Sequence, residues 1–330
     1  MKTNIFKYSL IFIIFTSIVF IIACEKTIEI DIEDTKPKLV LNAELNPDST
    51  IKVNITRSRH ILDNAMITNV EDAQVKIYED EIFIGNLIYD KNGNYRLNYK
   101  PKKGKNYKII VEHPNYETVK ATSFIISKIE NISIDTSSTY DEYGNSITNL
   151  NIKFKDPANE KNYYMLKLRD KYKTEIWDYS IIVIDTIYTG PDTTIVNISQ
   201  GAFTYEYSTE VVYFSSNDIN LDEDNYFAGV LAISDELFDG KEYLLKTSFD
   251  ANYTYYSTDT SLIYIDFYSI SQDYYKYIKS RNKYTYSVGD PFSEPVMVFT
   301  NVENGLGILG SAHANTDSIL IKRKNYFYYE

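Results

Sequence analysis

This chain has little of what metal and thiol chemistry needs. Cys24 is the only cysteine in 330 residues, so no disulfide can form within the chain and no thiolate zinc site can be assembled. Three histidines, His60, His113 and His313, are scattered without His-x-x-x-His spacing, which argues against a histidine metal centre. No Gly-x-Ser-x-Gly elbow occurs, so the strained serine turn of the α/β-hydrolases is absent. Basic residues are also short: Lys and Arg number 34 against 46 Asp and Glu, for a net charge of −12. That balance argues against nucleic acid and against electrostatic binding to anionic membranes. Carboxylates are so numerous that no glycosidase-like pair stands out. Nothing in the sequence supports naming catalytic residues or a cofactor, and a non-enzymatic protein is expected.

The N-terminus is distinctive. Lys2 and Lys7 precede an uncharged, almost wholly apolar run from Tyr8 to Ile22. At about 15 residues it falls short of the roughly 20 needed to span a bilayer but suits a signal-peptide core. Ile21-Ile22-Ala23-Cys24 resembles the lipobox of bacterial lipoproteins. The resemblance implies cleavage before Cys24 and lipidation of its thiol, which also removes the one cysteine nucleophile. Two or three acyl chains, at about 0.8 kcal/mol per buried methylene, anchor stably where one would be marginal. Removing residues 1–23 takes away two lysines and no acids, so the net charge moves from −12 to −14.

About 300 mature residues exceed what one core usually organises, so two domains are expected. Residues 24–36 read as the lipidated cysteine and an acidic tether. From residue 37 to 126, strands are expected at Lys38–Ala43, Ile51–Ile55, Val75–Ile77, Ile82–Tyr89, Tyr95–Tyr99, Tyr107–Val111 and Val119–Ile126. Ile51, Val53 and Ile55 alternate with Lys52, Asn54 and Thr56, the mark of one buried and one solvated face. Asn46-Pro47-Asp48 and Asn92-Gly93 are turn signals. Seven short strands at about ten-residue spacing predict a β-sandwich. Residues 127–330 predict a second β-rich domain, with strands near Leu150–Phe154, Tyr163–Leu168, Ile176–Ser180, Ile181–Tyr188, Phe203–Phe214, Leu244–Phe249, Ser261–Phe267 and Ser318–Ile321. One helix is expected near 270–284. Ser269-x-x-Gln272 reads as its capping box, with Ile270, Tyr274, Tyr277, Ile278 and Arg281 on the core-facing side. The 32 tyrosines suit half-buried pleated surfaces.

Two motifs invite chemistry. Gly305-Leu306-Gly307-Ile308-Leu309-Gly310 matches Gly-x-Gly-x-x-Gly literally. A dinucleotide loop needs a following helix and an acidic residue about twenty positions on; here Ser318–Ile321 reads as a strand, so a glycine-lined turn within β structure is expected. Asp218, Asn220, Asp222 and Asp224 alternate like the start of a calcium loop, but Glu223 stands where glycine belongs and Gly229 where the bidentate Glu belongs. These four residues are a weak calcium candidate, and no other metal site is expected.

Asp72–Tyr78, Asn92–Tyr95, Gly104–Tyr107 and Pro114–Tyr116 resemble the carboxypeptidase-regulatory, transthyretin-like (Ig-like) sandwiches, which mostly bind or space. Asp48-Ser49-Thr50, Asp185-Thr186-Ile187, Asp192-Thr193-Thr194 and Asp317-Ser318-Ile319 resemble the O-glycosylation acceptors of Bacteroidota. Cys24-Glu25-Lys26 with Ile28–Asp31, Pro37–Val40, Leu45–Ser49, Pro291–Val296 and Asn301–Gly307 together resemble the Bacteroidota lipoproteins of domain-of-unknown-function family 4249. That resemblance spans nearly the whole mature chain. It implies an outer-membrane lipoprotein, commonly encoded beside a TonB-dependent receptor, with no catalytic residues to carry over. It points to an accessory that captures ligand for the transporter or gates it; a surface adhesion module binding a glycan or protein is the alternative. The acidic run after Cys24 resembles surface-export signals, so the outer face is expected. The ligand is not named by any residue.

Overall fold

Alternation builds the strands. In β1 (Leu39–Leu45) and β2 (Ile51–Arg57), Leu39, Leu41, Ala43, Leu45, Ile51, Val53 and Ile55 are buried, while Asn42, Glu44, Lys52 and Asn54 stand on the other face. A computed structural model describes residues 36–59, 66–190, 193–216, 218, 229–250, 260–288 and 292–322. Its next strands are β3 (Thr68–Asn69), β4 (Gln74–Glu79), β5 (Ile82–Tyr89), β6 (Asn94–Leu97), β7 (Asn106–His113) and β8 (Tyr116–Phe124). Then follow β9 (Ser133–Tyr140), β10 (Ser146–Lys155), β11 (Tyr163–Gly190), β12 (Thr193–Val212), β13 (Val230–Ser234), β14 (Glu242–Asp250) and β15 (Thr260–Ile270). The helix α1 (Gln272–Ser287) and β16 (Leu306–Lys322) complete the order. The protein is mainly β with one helix among the described residues. None of these residues forms a helix long and apolar enough to cross a membrane.

One hydrogen-bonded path joins β12-β11-β15-β16-β1-β2-β6-β5-β4-β7-β8, with β13 on β11 and β3 on β2; β14-β10-β9 form a separate three-stranded sheet. The path folds over the first core, where Leu41, Val53 and Ile55 meet Ile77, Tyr107 and Ile109. An isolated bridge between Lys120 of β8 and Glu303 brings the far end of that wrap back to the segment leading into β16. The second core lies between β10 and β14 on one side and β11, β13 and β15 on the other. At its centre Phe154 meets Tyr164 and Phe267, each at 4.9 Å between ring centroids. Such aromatic pairs contribute about 0.5–1.5 kcal/mol beyond area burial.

Residues Pro37–Glu330 form one unit. A small third cluster packs Ile270 and Ile278 with Met165, Ala232 and Ala312. The two larger cores draw mainly on residues before and after the 126–127 border. They share the last strand. β16 pairs parallel with β1 from Val40↔Leu306 to Leu45↔Ser311, then antiparallel with β15 from Ile270↔Ala312 onward. The first core therefore takes Val302 and Leu309 from the end of the chain.

Two local expectations are corrected. Ser269 is no helix cap: it lies in β15, and the N-cap is Ser271, which makes no side-chain cap bond. The Ser271 hydroxyl instead accepts the Ser311 N–H at 3.2 Å. β15 runs almost directly into the helix, so the phase of Ile270 belongs to the strand. The second correction is that Ile176–Ser180 and Ile181–Tyr188 are one strand, β11, with a register irregularity between Asp178 and Ile182.

That continuity produces an arm. β11 pairs with β15 only as far as Lys171↔Leu262, whereas its pairing with β12 runs on to Gly190↔Thr193. From Tyr172 outward the ribbon has two strands among the described residues, and at about 3.3 Å per residue it reaches roughly 60 Å. Trp177 lies on Gly201, where a Cβ would come within 2.4 Å of the indole Nε1. Its ring meets Phe203 at 4.8 Å and 81°. Tyr179 at 71% exposure, Ile182 at 64% and Tyr207 at 69% show how much apolar surface the ribbon leaves uncovered.

Candidate functional site

The outward face of β1, β2 and β6 is polar, and register aligns its side chains. Asn42 pairs with Asn54, Asn54 with Asn94, and Lys52 with Arg96, while Asn42 aligns with Ile308 across the parallel β1–β16 ladder. Three amides thus cross three strands in one row. Asn54 Nδ2 donates to Asn92 O at 3.0 Å and to Asn94 Oδ1 at 3.3 Å, which fixes the row's middle.

Helix α1 overhangs this face. Gly310 aligns with Glu44, and its missing side chain leaves room for Tyr274: a Cβ there would sit 2.6 Å from Tyr274 Cγ. The Tyr274 hydroxyl donates to Glu44 Oε2 at 2.8 Å. Burial, then the charge of Glu44, pushes the Tyr274 pKa up, so the phenol stays a donor. Tyr277 follows at 6.4 Å between ring centroids, with the Arg281 guanidinium over its ring at 6.0 Å. The result is an open groove of about 620 Å³ lined by Asn42, Glu44, Ser49, Thr50, Lys52, Asn54, Asn94, Arg96, Tyr274, Tyr277 and Arg281, with Ala43 and Ile308. It holds three cations and one carboxylate in a protein of net charge −12. Arg96 pairs with Asp90 through Nε at 2.8 Å. Lys52 and Arg281 make no ion pair among the described residues.

A second cluster is acidic. Asp156, after β10, and Asp235 and Asp239, between β13 and β14, bring one oxygen each within 4.8 Å of one another. Each accepts from the chain: Asp156 from the Tyr164 hydroxyl and from Gly240 N–H at 2.9 Å, Asp235 from Asn162 N–H at 2.6 Å, and Asp239 from Asn159 N–H at 3.1 Å. Three oxygens at that spacing could share a cation, but here backbone donors and a tyrosine hold them. Burial, with the charges of Asp235 and Asp239 adding to it, raises the Asp156 pKa above the ordinary carboxylate value despite its two donors.

A raised acid pKa means that the folded state binds the proton more tightly than the unfolded one. Stability therefore falls as pH rises from the ordinary carboxylate value through the raised one. Asp239→Asn removes one crowding charge and keeps an oxygen for Asn159 N–H. Urea unfolding at pH 7 should show it more stable by roughly 0.5 kcal/mol, the scale of a screened charge pair. The gain should shrink as pH falls and Asp156 takes up its proton.

The expected residues are placed as follows. Cys24, and the whole leader and tether to residue 35, lie outside the described residues, as do Asn220, Asp222, Asp224 and His60. Asp218 is described, and its Oδ2 accepts the Tyr243 hydroxyl at 2.6 Å. It does not join the acidic trio. His113 and His313 are apart, facing Asp72 and Asp48 respectively. The glycine string opens β16: Gly305 packs against Val119 and the Leu39 carbonyl, Gly307 against the Leu41 carbonyl and Gly310 against Tyr274. No sequence signal links the Asp156 carboxylate to Asp235, and none links β1 to α1 in the groove.

A family model described as "Domain of unknown function (DUF4249)" matches residues 25–318. No curated protein matches the chain.

Proposed function

The chain belongs to the DUF4249 family, and from that premise we propose that it is an outer-membrane lipoprotein anchored through Cys24. In this reading it works without catalysis beside a TonB-dependent transporter, capturing ligand for it or gating it. The leader residues and the family's resemblance to surface lipoproteins support the anchor. The resemblance of Asp72–Tyr78 and Gly104–Tyr107 to transthyretin-like sandwiches fits a first core that spaces the second away from the membrane.

The observation that carries the partner half is the β11–β12 arm. Among the described residues this ribbon has two strands; such a ribbon is marginal in water, and an exposed apolar face on one marks an interaction surface. From residue 174 to residue 240 the chain has no Lys, Arg or His, while acids recur throughout. Beyond Lys173 the ribbon carries acids and no base, so it is repelled by anionic lipid and by a second copy of itself. It suits a neutral or basic protein surface.

The test is purification of the full-length, lipidated protein from outer membranes. A TonB-dependent receptor is expected to co-purify, and Trp177→Ala with Phe203→Asp to reduce its recovery at least tenfold, the scale of losing an aromatic anchor. Recovery of the intact lipoprotein without any receptor ends this reading. The polar groove favours the second reading, a surface module that binds glycan on its own, which predicts binding without any receptor.

A further inference from the structure

We propose that the groove between the outward face of β1, β2 and β6 and the helix α1 binds an acidic oligosaccharide, one bearing uronate carboxylates. The inference deepens the ligand-capture half of the proposed function and rests on it.

Charge gives the sign of the ligand. Lys52 and Arg281 face the groove without an ion pair among the described residues, beside Arg96, which Asp90 pairs through Nε. The one groove carboxylate, Glu44, is engaged by the Tyr274 hydroxyl. On a chain with net charge −12, such a cationic patch gathers anions locally against the overall field. The planar guanidinium of Arg281 suits a carboxylate.

The lining gives the class. Asn42, Asn54 and Asn94 offer amide donors and acceptors in a row, with Ser49 and Thr50 at the rim. That is a surface for a ligand dense in hydroxyls. Ala43 and Ile308 are the only aliphatic lining residues, so no apolar pocket awaits a peptide side chain. Nor can a peptide add as a strand: β1, β2 and β6 all have neighbours on both sides in the sheet path, leaving no open backbone edge. Tyr277 supplies a wall with an apolar body and a polar tip, which a pyranose face and its hydroxyls can both use, while Tyr274 backs it.

The test is calorimetric titration of the full chain in detergent with a galacturonate oligomer, a neutral glucose oligomer of equal length and an oligoglutamate of equal charge. Binding is expected for the galacturonate oligomer alone, weakening with salt. Arg281→Ala and Lys52→Ala should each lower the affinity about tenfold, the scale of one charge-assisted hydrogen bond. Absence of galacturonate binding overturns the proposal. So does equal binding of oligoglutamate, which would be a bare polyanion effect, or unchanged affinity in a folded Arg281→Ala chain. Receptor co-purification, followed on the same preparations, separates the two readings. Galacturonate binding without receptor sinks the transporter role alone, and receptor without galacturonate binding sinks the glycan alone.

Discussion

Gly307→Ala is expected to cost at least about 4 kcal/mol, the range reserved for a backbone clash in a core, and to leave little soluble full-length protein. Gly307 has φ +100, and a Cβ there would lie 2.1 Å from the Leu41 carbonyl oxygen and 2.8 Å from its carbon. Neither partner can yield. Leu41 is fully buried in the first core and is the register partner of Gly307 in the β1–β16 ladder. The clash therefore pushes apart the ladder that joins the two cores. Gly104→Ala is the control: its φ is +74, but nothing lies within 4 Å of an added Cβ. It should cost only the left-handed penalty of about 1–2 kcal/mol. Denaturant midpoints of the two variants separate strain from clash, and equal losses would show that packing around Gly307 is looser than the geometry indicates.

The same glycine shows where local reading stops. Its string reads as a glycine-lined turn within β structure, because no helix follows it, whereas Gly307 and Gly310 lie inside strand β16 and only Gly305 precedes it. What the glycines avoid was not legible, since Leu39, Leu41 and Tyr274 are far away in the chain. Strands with one wet face were readable: β5 has the expected bounds, and the Ile51-Val53-Ile55 alternation is β2. β9 was missed because Ser133–Tyr140 is mostly exposed and carries no apolar alternation. The arm was divided at Ser180/Ile181 because its irregularity between Asp178 and Ile182 breaks the phase that a period-two reading relies on. The parallel β1–β16 pairing has no local signal.

The candidate groove was half-legible for the same reason. Lys52 and Asn54 read as solvated from alternation alone, and Tyr274, Tyr277 and Arg281 as one face of a helix. Bringing the two sets together requires Gly310 beside Glu44, a register set by the ladder. Of the alternating acids, only Asp218 lies among the described residues. An oxygen-rich alternation suggested a calcium loop, yet its one described carboxylate accepts from Tyr243, while Asp156, Asp235 and Asp239 converge from separate loops without any motif.

Arg169→Ala is the second large effect, expected to cost about 3 kcal/mol, because it strands a buried charge. Asp266 is 1% exposed; its Oδ2 accepts Arg169 Nε at 2.5 Å and its Oδ1 accepts Arg169 Nη2 at 3.1 Å. Thr316 Oγ1 adds a bond to Oδ1 at 2.7 Å. The network ties β11, β15 and β16 together close to Lys171↔Leu262, the last β11–β15 pair before the arm. Arg169→Lys keeps the charge but loses the two-pronged geometry, so it should recover part of the loss. Pairing Arg169→Met with Asp266→Leu should cost less than Arg169→Ala alone, since no charge is then left buried. Urea midpoints at constant m-value measure all three. Because the tie sits at the root of the arm, Arg169→Ala should also speed amide exchange from Tyr172 outward more than in β10 or β14. Uniform acceleration would mean that the ion pair supports the whole sheet and does not specifically hold the arm.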